Sequence, residues 1–595
     1  MSLLRPAVIA ALIALTTAAP AHAAGDPIMP LSQVQRGMQC TGYSVIRGTD
    51  VASFNAEVLD VLSGPDPAIL VRLSGPAIDA TGAGPGFSGS PVYCPDPADG
   101  VSKVIGAIAF GIGEYDNKTL LLTPIEEMLD EPVVPPPSAR RMTAREHRQR
   151  RPLGTALSIA GLSPPVADAF RRGAARAGRT LATVPAAPRA TGFPVQTLRP
   201  GSAVSVGYSS GDIALGGIGT VTYVDGNDIW AFGHPLDSVG RRSLFLEDAY
   251  VYDVISSPSV GGAEGTYKLA APGHDIGMLS GDGIHAVTGT VGALPPSIPM
   301  TVKANDRDNK TSESLHVQLA DEREVGNPTG FSPLGFVGTS AVAQAAYSAL
   351  HGSPLNTSGS MCVSFKVAER TKALGFCNTY VAAGTGLASD GAGALLGSAP
   401  VSDFGSAAAL LDTYRAGPLT VTSVNVTLNL RRGLAQAYMT RLTGPEKVTR
   451  GKDYPVRMFF RRPGSAKEES VSFKVHAPIG MTRGKRDLVL SGTPSDLAGG
   501  GFASLLADLL GDGSTDEAGP PSLAVLSKQV GAIHRYDGVT ASFRPRHGKK
   551  ETLAGPTTAD ALPSGAAGRA LRERPVYRDG SVRYSGAVSI PVVVR

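Results

Sequence analysis

Short apolar runs bounded by glycine, proline, aspartate or asparagine recur early in the chain. Between residues 41 and 131 they read AEVLDVL, AILVRL, KVIGAIAFG and TLLLTP. Runs of this length with such boundaries predict short β-strands. The last run leads into TPIEEMLDE, where Thr123 as N-cap, Pro124 at the first helical position and Glu126 in a capping box predict a short helix.

The same pattern returns after a polar interval. Residues 200–305 are again β-rich, and GGIGTVTYVDGNDIWAFGHPLD predicts a strand to Val224, a turn at Asp225–Gly226–Asn227 and a returning strand that stops at Gly233–His234–Pro235. This reading places His234 at the end of a strand.

The remainder of the chain mixes helical and strand patterns. Residues 338–351 and 404–415 are predicted to be helical. From about residue 417, LTVTSVNVTLNL, YPVRMFF, VSFKVHAP and AVSIPVVV predict a C-terminal β-sandwich, interrupted by a Gly-rich helical insertion near 494–520.

Two segments do not read as packed structure. Residues 1–23 have one early cation, Arg5, an apolar core and an Ala-His-Ala end, which predicts a secretory signal cleaved after Ala23. The apolar run is shorter than the roughly 20 residues that a membrane span needs. Residues 132–152, PVVPPPSARRMTAREHRQRRP, predict an exposed linker, with a basic patch for an acidic partner as the alternative.

Composition narrows the class of protein. With 595 residues the chain should form several domains, and 72 glycines and 46 prolines fit many turns between short strands. A net charge of +4 with 18% charged residues predicts neither nucleic acid as a partner nor a disordered polyelectrolyte. The mature chain is expected to be secreted or in the cell envelope, without a stable membrane span.

Export changes the meaning of the four cysteines, Cys40, Cys94, Cys362 and Cys377. An even number in an oxidising compartment predicts two disulfides, for which three pairings exist. The pairing Cys40–Cys94 and Cys362–Cys377 keeps each bond within one segment and is the one we favour. No CxxC or HExxH spacing occurs, so no metal site is predicted.

The stretch GPGFSGSPVYC, which begins at Gly84, is the strongest chemical signal. A serine hydroxyl acts as a nucleophile only with a base and with donors for the developing oxyanion. The glycines around Ser88 allow a sharp turn, in which the N–H groups of Gly86 and Ser88 can point at one spot. The alternative is a Gly/Ser hairpin without chemistry.

Among the ten histidines, His234 is the best candidate for the base, because it ends a strand between a glycine and a proline. A structural histidine is the alternative at this position. Other histidines fall in the signal, the linker, strand patterns, a helix end, the basic C-terminal region or a Gly-rich segment: His22, His147, His316, His476, His351, His534, His547, His274 and His285.

These blocks together resemble a known family. GMQCTGYSVIRGTDVASFNAEVLDVL, ILVRLSG, GFSGSPVY, VIGAIAFG and TPIEEML, followed by GGIGTVTYVDGNDIWAFGHPLD, are similar to the SpoIVB-type serine peptidases over roughly residues 36–131 and 199–330. The resemblance implies a chymotrypsin-like double β-barrel, with Ser88 as nucleophile and His234 as general base.

Two features depart from that family. The serine block precedes the histidine block here, so the halves of the peptidase domain have a permuted order; a triad depends on geometry and not on chain order. The family's acid lies in the strand before the serine, where this chain has Ser74 in RLSGP and no carboxylate. Asp79, Asp212 and Asp282 remain as substitutes.

The sequence therefore predicts a mainly β protein that acts as an exported serine endopeptidase on a protein or peptide substrate, without metal or cofactor. The alternatives are a weak or inactive peptidase-fold protein that binds a partner in the envelope, and a purely structural secreted β protein. The expected divisions are a signal peptide 1–23, a serine half 24–131, a linker 132–152, a histidine half 153–335, a helical segment with the second cysteine pair 336–416, and a C-terminal domain 417–595.

An exposed linker predicts preferential proteolysis. Limited trypsin digestion should cut first among the arginines of residues 139–151, because this segment has little to bury. Mass spectrometry of the first fragments locates the cuts. First cuts elsewhere, with residues 139–151 intact, would contradict the linker interpretation.

Overall fold

The computed structural model describes most of the chain, and the account below concerns only that part. The described residues are 25–112, 117–136, 157–176, 181–183, 190–256, 266–326, 332–383, 399–492, 519–533, 538–546 and 575–595. The predicted signal, most of the linker and nearly all of the insertion near 494–520 lie outside the described residues.

The chain is mainly β, and its first unit is a closed six-stranded barrel. The strand order is β1-β2-β3-β6-β5-β4, and the barrel closes because β1 pairs with both β2 and β4. Its interior holds apolar side chains such as Phe54, Val71, Ile105 and Leu122. The six strands are β1 (Gln39–Arg47), β2 (Asp50–Leu62), β3 (Ala68–Ser74), β4 (Pro91–Pro95), β5 (Ser102–Gly111) and β6 (Thr119–Pro124).

The short helix after the barrel forms, but its predicted cap is wrong. Helix α1 (Ile125–Leu129) begins after Pro124 with no side-chain cap. The Thr123 hydroxyl donates instead to the Gly233 carbonyl at 2.5 Å, and Glu126 accepts from the Leu31 N–H at 2.7 Å. Long-range partners therefore replace the local capping box.

A second unit is a sheet of thirteen strands with the order β18-β17-β19-β15-β16-β9-β12-β13-β14-β11-β10-β7-β8. Its strands are β7 (Leu157–Ala160), β8 (Leu181–Thr183), β9 (Ala203–Gly211), β10 (Ala214–Asp225), β11 (Asp228–Ala231), β12 (Gly240–Ile255), β13 (Tyr267–Asp282), β14 (Val287–Val291), β15 (Ser297–Asp306), β16 (Thr311–Ala320), β17 (Asn356–Val367), β18 (Arg370–Ala383) and β19 (Val421–Arg432). The predicted hairpin of β10 and β11 forms, with Asp225 opposite Asp228.

Six strands of this sheet also form a closed ring of pairings. Strand β9 pairs with both β10 and β12, so the ring runs β9-β10-β11-β14-β13-β12. If the strands of each ring are numbered from its first strand in the chain, the ring and the six-stranded barrel both have the order 1-2-3-6-5-4. The two rings therefore share one topology within a single chain.

Helices cover the large sheet. Helix α3 (Pro333–Ala349) packs on β15, β16 and helix α4 (Ala399–Asp412) and is almost entirely buried. Ser332 caps it by accepting from the Gly335 N–H at 2.7 Å, so it begins earlier than the pattern at residues 338–351 indicated. The remaining helices are α2 (Pro164–Arg176) and α5 (Leu523–Val530). In the described ranges, none of the helices combines the length and the apolar character needed to cross a lipid bilayer.

Two smaller sheets share a third hydrophobic core near the C-terminus. Their orders are β23-β22-β20-β27 and β21-β28-β24-β25-β26. Strand β19, which the pattern assigned to this region, instead pairs in parallel with β15 in the large sheet. The strands are β20 (Gln436–Thr443), β21 (Lys447–Val448), β22 (Asp453–Arg461), β23 (Glu468–His476), β24 (Gly484–Ser491), β25 (Gly538–Pro545), β26 (Tyr577–Arg578), β27 (Arg583–Ser585) and β28 (Ala587–Val594).

Both disulfides are local. Cys40–Cys94 joins β1 to β4 at the seam where the barrel closes, and Cys362–Cys377 joins directly opposed residues of β17 and β18. This is the pairing favoured from the sequence. No cysteine is left free in the described part of the chain. Two disulfides fit an extracytoplasmic location.

The two disulfides should differ in their contribution to stability. They span 54 and 15 residues. From loop-closure entropy, replacing both Cys40 and Cys94 by alanine should lower the free energy of unfolding by about 4 kcal/mol. The same replacement of Cys362 and Cys377 should lower it by about 3 kcal/mol. Denaturant unfolding of the two double variants measures the difference. Equal stability of wild type and the Cys40/Cys94 variant would contradict this account of the seam.

Candidate active site at the serine turn

The turn at residues 84–90 lies between β3 and β4 and depends on its glycines. Gly86 has φ of +94° and Gly89 has φ of +90°, the left-handed region that side chains other than glycine rarely adopt. A Cβ atom on Gly89 would lie 1.9 Å from the Thr220 carbonyl oxygen. Glycine therefore lets the turn lie directly against the backbone of β10.

His234 is presented by a strained loop between β11 and β12. Phe232 and Gly233 both have positive φ, at 71° and 68°, which is costly for phenylalanine. The Phe232 ring is fully buried over Gly219, where a Cβ atom would lie 2.3 Å from the ring. Thr123 holds the Gly233 carbonyl from the barrel side. Packing and hydrogen bonds, including those from the Phe232 N–H to the Thr220 carbonyl and from the Gly233 N–H to the Ala231 carbonyl, therefore stabilise the strained backbone.

The structure brings the two predicted residues together. His234 Nε2 lies 2.9 Å from Ser88 Oγ. Ser88 is 2% exposed and His234 is 0% exposed, so the pair is buried between the two rings. Each residue lies in the connection between the third and fourth strands of its ring, so Ser88 and His234 occupy equivalent positions in the two rings.

The second ring nitrogen of His234 faces a backbone carbonyl. His234 Nδ1 lies 2.7 Å from the carbonyl oxygen of Pro235. A carbonyl only accepts, so Nδ1 carries the proton and Nε2 is left with a lone pair. Nε2 can then accept the Ser88 hydroxyl proton. The carbonyl thus selects the tautomer that a general base requires.

Burial keeps this imidazole neutral. Removal from water lowers the pKa of His234 to about 4, and the Pro235 carbonyl opposes the shift only in part. The neutral, proton-accepting form therefore predominates above about pH 5.

Two of the three candidate acids lie elsewhere. Asp79 is exposed, with a side-chain exposure of 61%, and Asp212 accepts from the His316 N–H at 2.6 Å. Neither hydrogen-bonds to His234, and within the described ranges no carboxylate does so. Residue types alone gave no means to rank them.

Asp282, the third candidate, supports the histidine loop. It ends β13 and accepts from the N–H groups of Leu236 at 2.7 Å and Asp237 at 2.8 Å. It is fully buried, 3.5 Å from Arg242, which also pairs with Glu322 at 2.8 Å. Burial raises the pKa of Asp282 to about 6 against the opposing effect of Arg242. Asp282 therefore fixes the segment that follows the Pro235 carbonyl.

The N–H groups of Gly86 and Ser88 donate to no atom in the described part of the chain, whereas the other N–H groups of the turn core are occupied. Those bonds are Phe87 N to Gly84 O, Gly89 N to Ile108 O and Ser90 N to Phe87 O. Two donors, two positions apart in the chain and one of them on Ser88 itself, are thus available in the serine turn.

The other described histidines have different partners, and His351 lies just after helix α3, where its N–H donates to the Ser348 carbonyl at 3.1 Å. His274 contacts Asp248 at 3.0 Å, His285 lies 3.6 Å from Glu127 and Glu131, His316 contacts Thr301 at 3.4 Å, and His476 contacts Asp453 at 2.7 Å. His22, His147, His534 and His547 lie outside the described residues. Across the described ranges, no three His, Cys, Asp or Glu side chains are grouped to hold a metal ion.

Comparisons of this chain with protein-family models, with curated proteins and with solved structures find no match.

Asp282 should stabilise the fold through the histidine loop. In Asp282→Asn an amide N–H₂ replaces one carboxylate oxygen, so one of the two loop N–H groups loses its acceptor. The substitution also weakens the ion pair with Arg242. We therefore expect a loss of about 2–4 kcal/mol in the free energy of unfolding. Asp79→Asn is the matched control at an exposed carboxylate and should change it by less than about 0.5 kcal/mol. Denaturant titration compares both, and equal effects would contradict the role given to Asp282.

Proposed function

We propose that this protein is an exported serine endopeptidase of SpoIVB type. The observation that carries the proposal is the Ser88–His234 hydrogen bond of 2.9 Å, with the opposite ring nitrogen of His234 tied to a carbonyl. Two unoccupied N–H groups on Gly86 and Ser88 add the third requirement of acyl transfer.

The topology supports a double-barrel peptidase domain with its halves in permuted order. The barrel of β1 to β6 and the ring of β9 to β14 have the same strand order, and each supplies one member of the pair from the same connection. A site between two such units is consistent with the resemblance found in the sequence.

In the proposed reaction, Ser88 Oγ attacks the carbonyl carbon of the scissile peptide while His234 Nε2 takes the hydroxyl proton. The carbonyl oxygen becomes an oxyanion that accepts hydrogen bonds from the N–H groups of Gly86 and Ser88. When the C–N bond breaks, His234 gives its proton to the leaving amine. Water, deprotonated by His234, then hydrolyses the acyl-enzyme and restores Ser88.

The Pro235 carbonyl would stabilise the protonated histidine less than a carboxylate would. The Pro235 carbonyl fixes the tautomer, but it carries only a partial charge with which to stabilise the imidazolium. The His234 pKa of about 4 also makes the ring a weak base. We therefore expect a slow peptidase.

One observation favours a second candidate, a peptidase-fold protein of the envelope that binds a partner without cleaving it. Ser88 is only 2% exposed, so a peptide carbonyl reaches it only if the neighbouring side chains move. A pair buried for packing alone would stay closed to substrate and reagent alike.

Reactivity with a fluorophosphonate probe separates the two candidates. The mature protein should label at a single serine, Ser88→Ala should abolish labelling, and His234→Ala should lower it by at least about 100-fold. His274→Ala is the control, since that histidine contacts Asp248 and not Ser88. Peptide mapping locates the label. A folded wild-type protein that never labels and cleaves no peptide library favours the binding protein.

The pH profile tests the histidine environment. Labelling requires neutral His234, so it should rise with pH through about 4 and change little between about pH 5 and 6.5. An unperturbed histidine would place this rise at about pH 6–7 instead. A rise in that higher interval would contradict the buried environment of the ring.

A further inference from the structure

A lysine is buried beside the serine turn, and the proposed mechanism does not use it. Lys268 of β13 is 4% exposed, and its Nζ lies 4.6 Å from the Phe87 ring centroid. Nζ donates to Ser44 Oγ at 2.7 Å and to Thr220 Oγ1 at 3.2 Å. In the part of the chain that the structure describes, no carboxylate pairs with it. Burying an ammonium group without a carboxylate costs desolvation free energy, and packing alone does not explain its presence there.

The hydroxyl groups around Lys268 form a chain with one direction. Ser44 Oγ lies 2.8 Å from Ser90 Oγ, and Ser90 Oγ donates to the Phe87 carbonyl at 2.6 Å. An ammonium only donates and a carbonyl only accepts, so the bonds run from Lys268 through Ser44 and Ser90 to the carbonyl of Phe87. That carbonyl belongs to the same peptide group as the Ser88 N–H.

The second peptide group is held by the lysine backbone. The Lys268 N–H donates to the Pro85 carbonyl at 2.9 Å, and this carbonyl shares its peptide group with the Gly86 N–H. Thr220 Oγ1, which accepts from the ammonium, donates to the Gly86 carbonyl at 3.0 Å. Both free N–H groups of the turn thus belong to peptide groups whose carbonyls are engaged by Lys268 or its hydroxyl chain.

We propose that Lys268 is a positioning residue that strengthens the oxyanion-binding donors of Gly86 and Ser88. The inference rests on the proposed serine hydrolase function. A carbonyl that accepts hydrogen bonds polarises its peptide group and makes the attached N–H a better donor. A buried cation also favours negative charge nearby, because the surroundings screen it weakly.

Among the described residues, the groups that contact the ammonium are all neutral. They are Ser44 from β1, Thr220 from β10 and Phe87 from the serine turn. Burial accordingly lowers the pKa of Lys268 to about 7. The cation is present below about pH 7 and is lost as the pH rises through that value. Stabilisation of the oxyanion should decline over the same interval.

Lys268→Met removes the cation and keeps the apolar length of the side chain. The second-order rate constant for fluorophosphonate labelling should fall at least about tenfold at pH 6, because the phosphonyl oxygen occupies the oxyanion position. Wild type should also lose reactivity as the pH rises through about 7, and the variant should lack this decline. A lysine that serves only packing would produce no such pH difference.

Thr222→Val is the matched control. Its hydroxyl donates to the Gly89 carbonyl at 2.8 Å, in the same turn but on a peptide group whose N–H, that of Ser90, already donates to the Phe87 carbonyl. It should retain the wild-type pH profile. If Lys268→Met fails to fold, Ser44→Ala interrupts the same chain with the lysine in place and should lower the rate constant in the same direction.

The outcomes separate this inference from the proposed function. Wild type that labels, with Lys268→Met or Ser44→Ala labelling equally fast at every pH, overturns the role of Lys268 and leaves the serine hydrolase standing. Folded wild type that never labels overturns both. Slower labelling of either variant, with loss of the decline near pH 7 in Lys268→Met, supports the inference.

Discussion

The contact between the serine turn and strand β10 is the constraint on which the site depends. Gly89 lies directly on the Thr220 carbonyl, and the Thr220 N–H donates to the Ser88 carbonyl at 2.8 Å. Ser88 and His234 are separated by 146 residues in the chain, and this backbone contact between two strand rings sets the distance between them. A side chain at position 89 would push the turn away from the ring that carries the histidine.

Around this contact the protein buries an unusual set of ionisable groups. His234, Lys268, Arg242 and Asp282 are all nearly or fully inaccessible to water. Replacing such groups by apolar residues often leaves a fold as stable or more so, which makes stability a weak explanation for them. Asp282 accepts from two N–H groups of the histidine loop, and His234 contacts the Pro235 carbonyl. Arg242 pairs with the carboxylates around that loop, and the Lys268 ammonium donates to two hydroxyl groups beside the serine turn. All four groups therefore lie where they support the serine turn or the histidine loop.

The sequence was informative where chemistry follows from local pattern. The glycine spacing around Ser88 and the short separations within each cysteine pair depend on neighbours in the chain, and the structure has the turn and both disulfides where the sequence predicted them. The strand before His234 ends earlier than predicted, at Ala231, so the histidine lies in a loop. The sequence was uninformative where the hydrogen-bond partner of a residue lies far along the chain or is a backbone group. The sequence predicts a capping box of Thr123 and Glu126. In the structure the Thr123 hydroxyl instead donates to the Gly233 carbonyl, 110 residues away.

Nothing in residue types could indicate that the Pro235 carbonyl would be the partner of His234 Nδ1. Every residue has a carbonyl, so its role appears only once the loop conformation is known. Lys268 was missed for a related reason. In YKLAAPG it reads as the exposed position of an alternating strand, and only the approach of the barrel, through Ser44 and the serine turn, buries it. Strand β19 was likewise misassigned because parallel pairing with β15 is a long-range contact.

The proposed chemistry distributes its electrostatic stabilisation differently from a triad with a carboxylate. A carboxylate selects the histidine tautomer and also stabilises the imidazolium, whereas the Pro235 carbonyl performs mainly the first task. In the proposed reaction the developing positive charge on His234 is therefore poorly stabilised. The developing negative charge on the substrate oxygen meets two peptide N–H groups backed by a buried cation. Because both charges appear in the same transition state, stabilising the anion offsets part of what the base lacks. The missing acid and the unexplained lysine thus have one physical explanation in the proposed site.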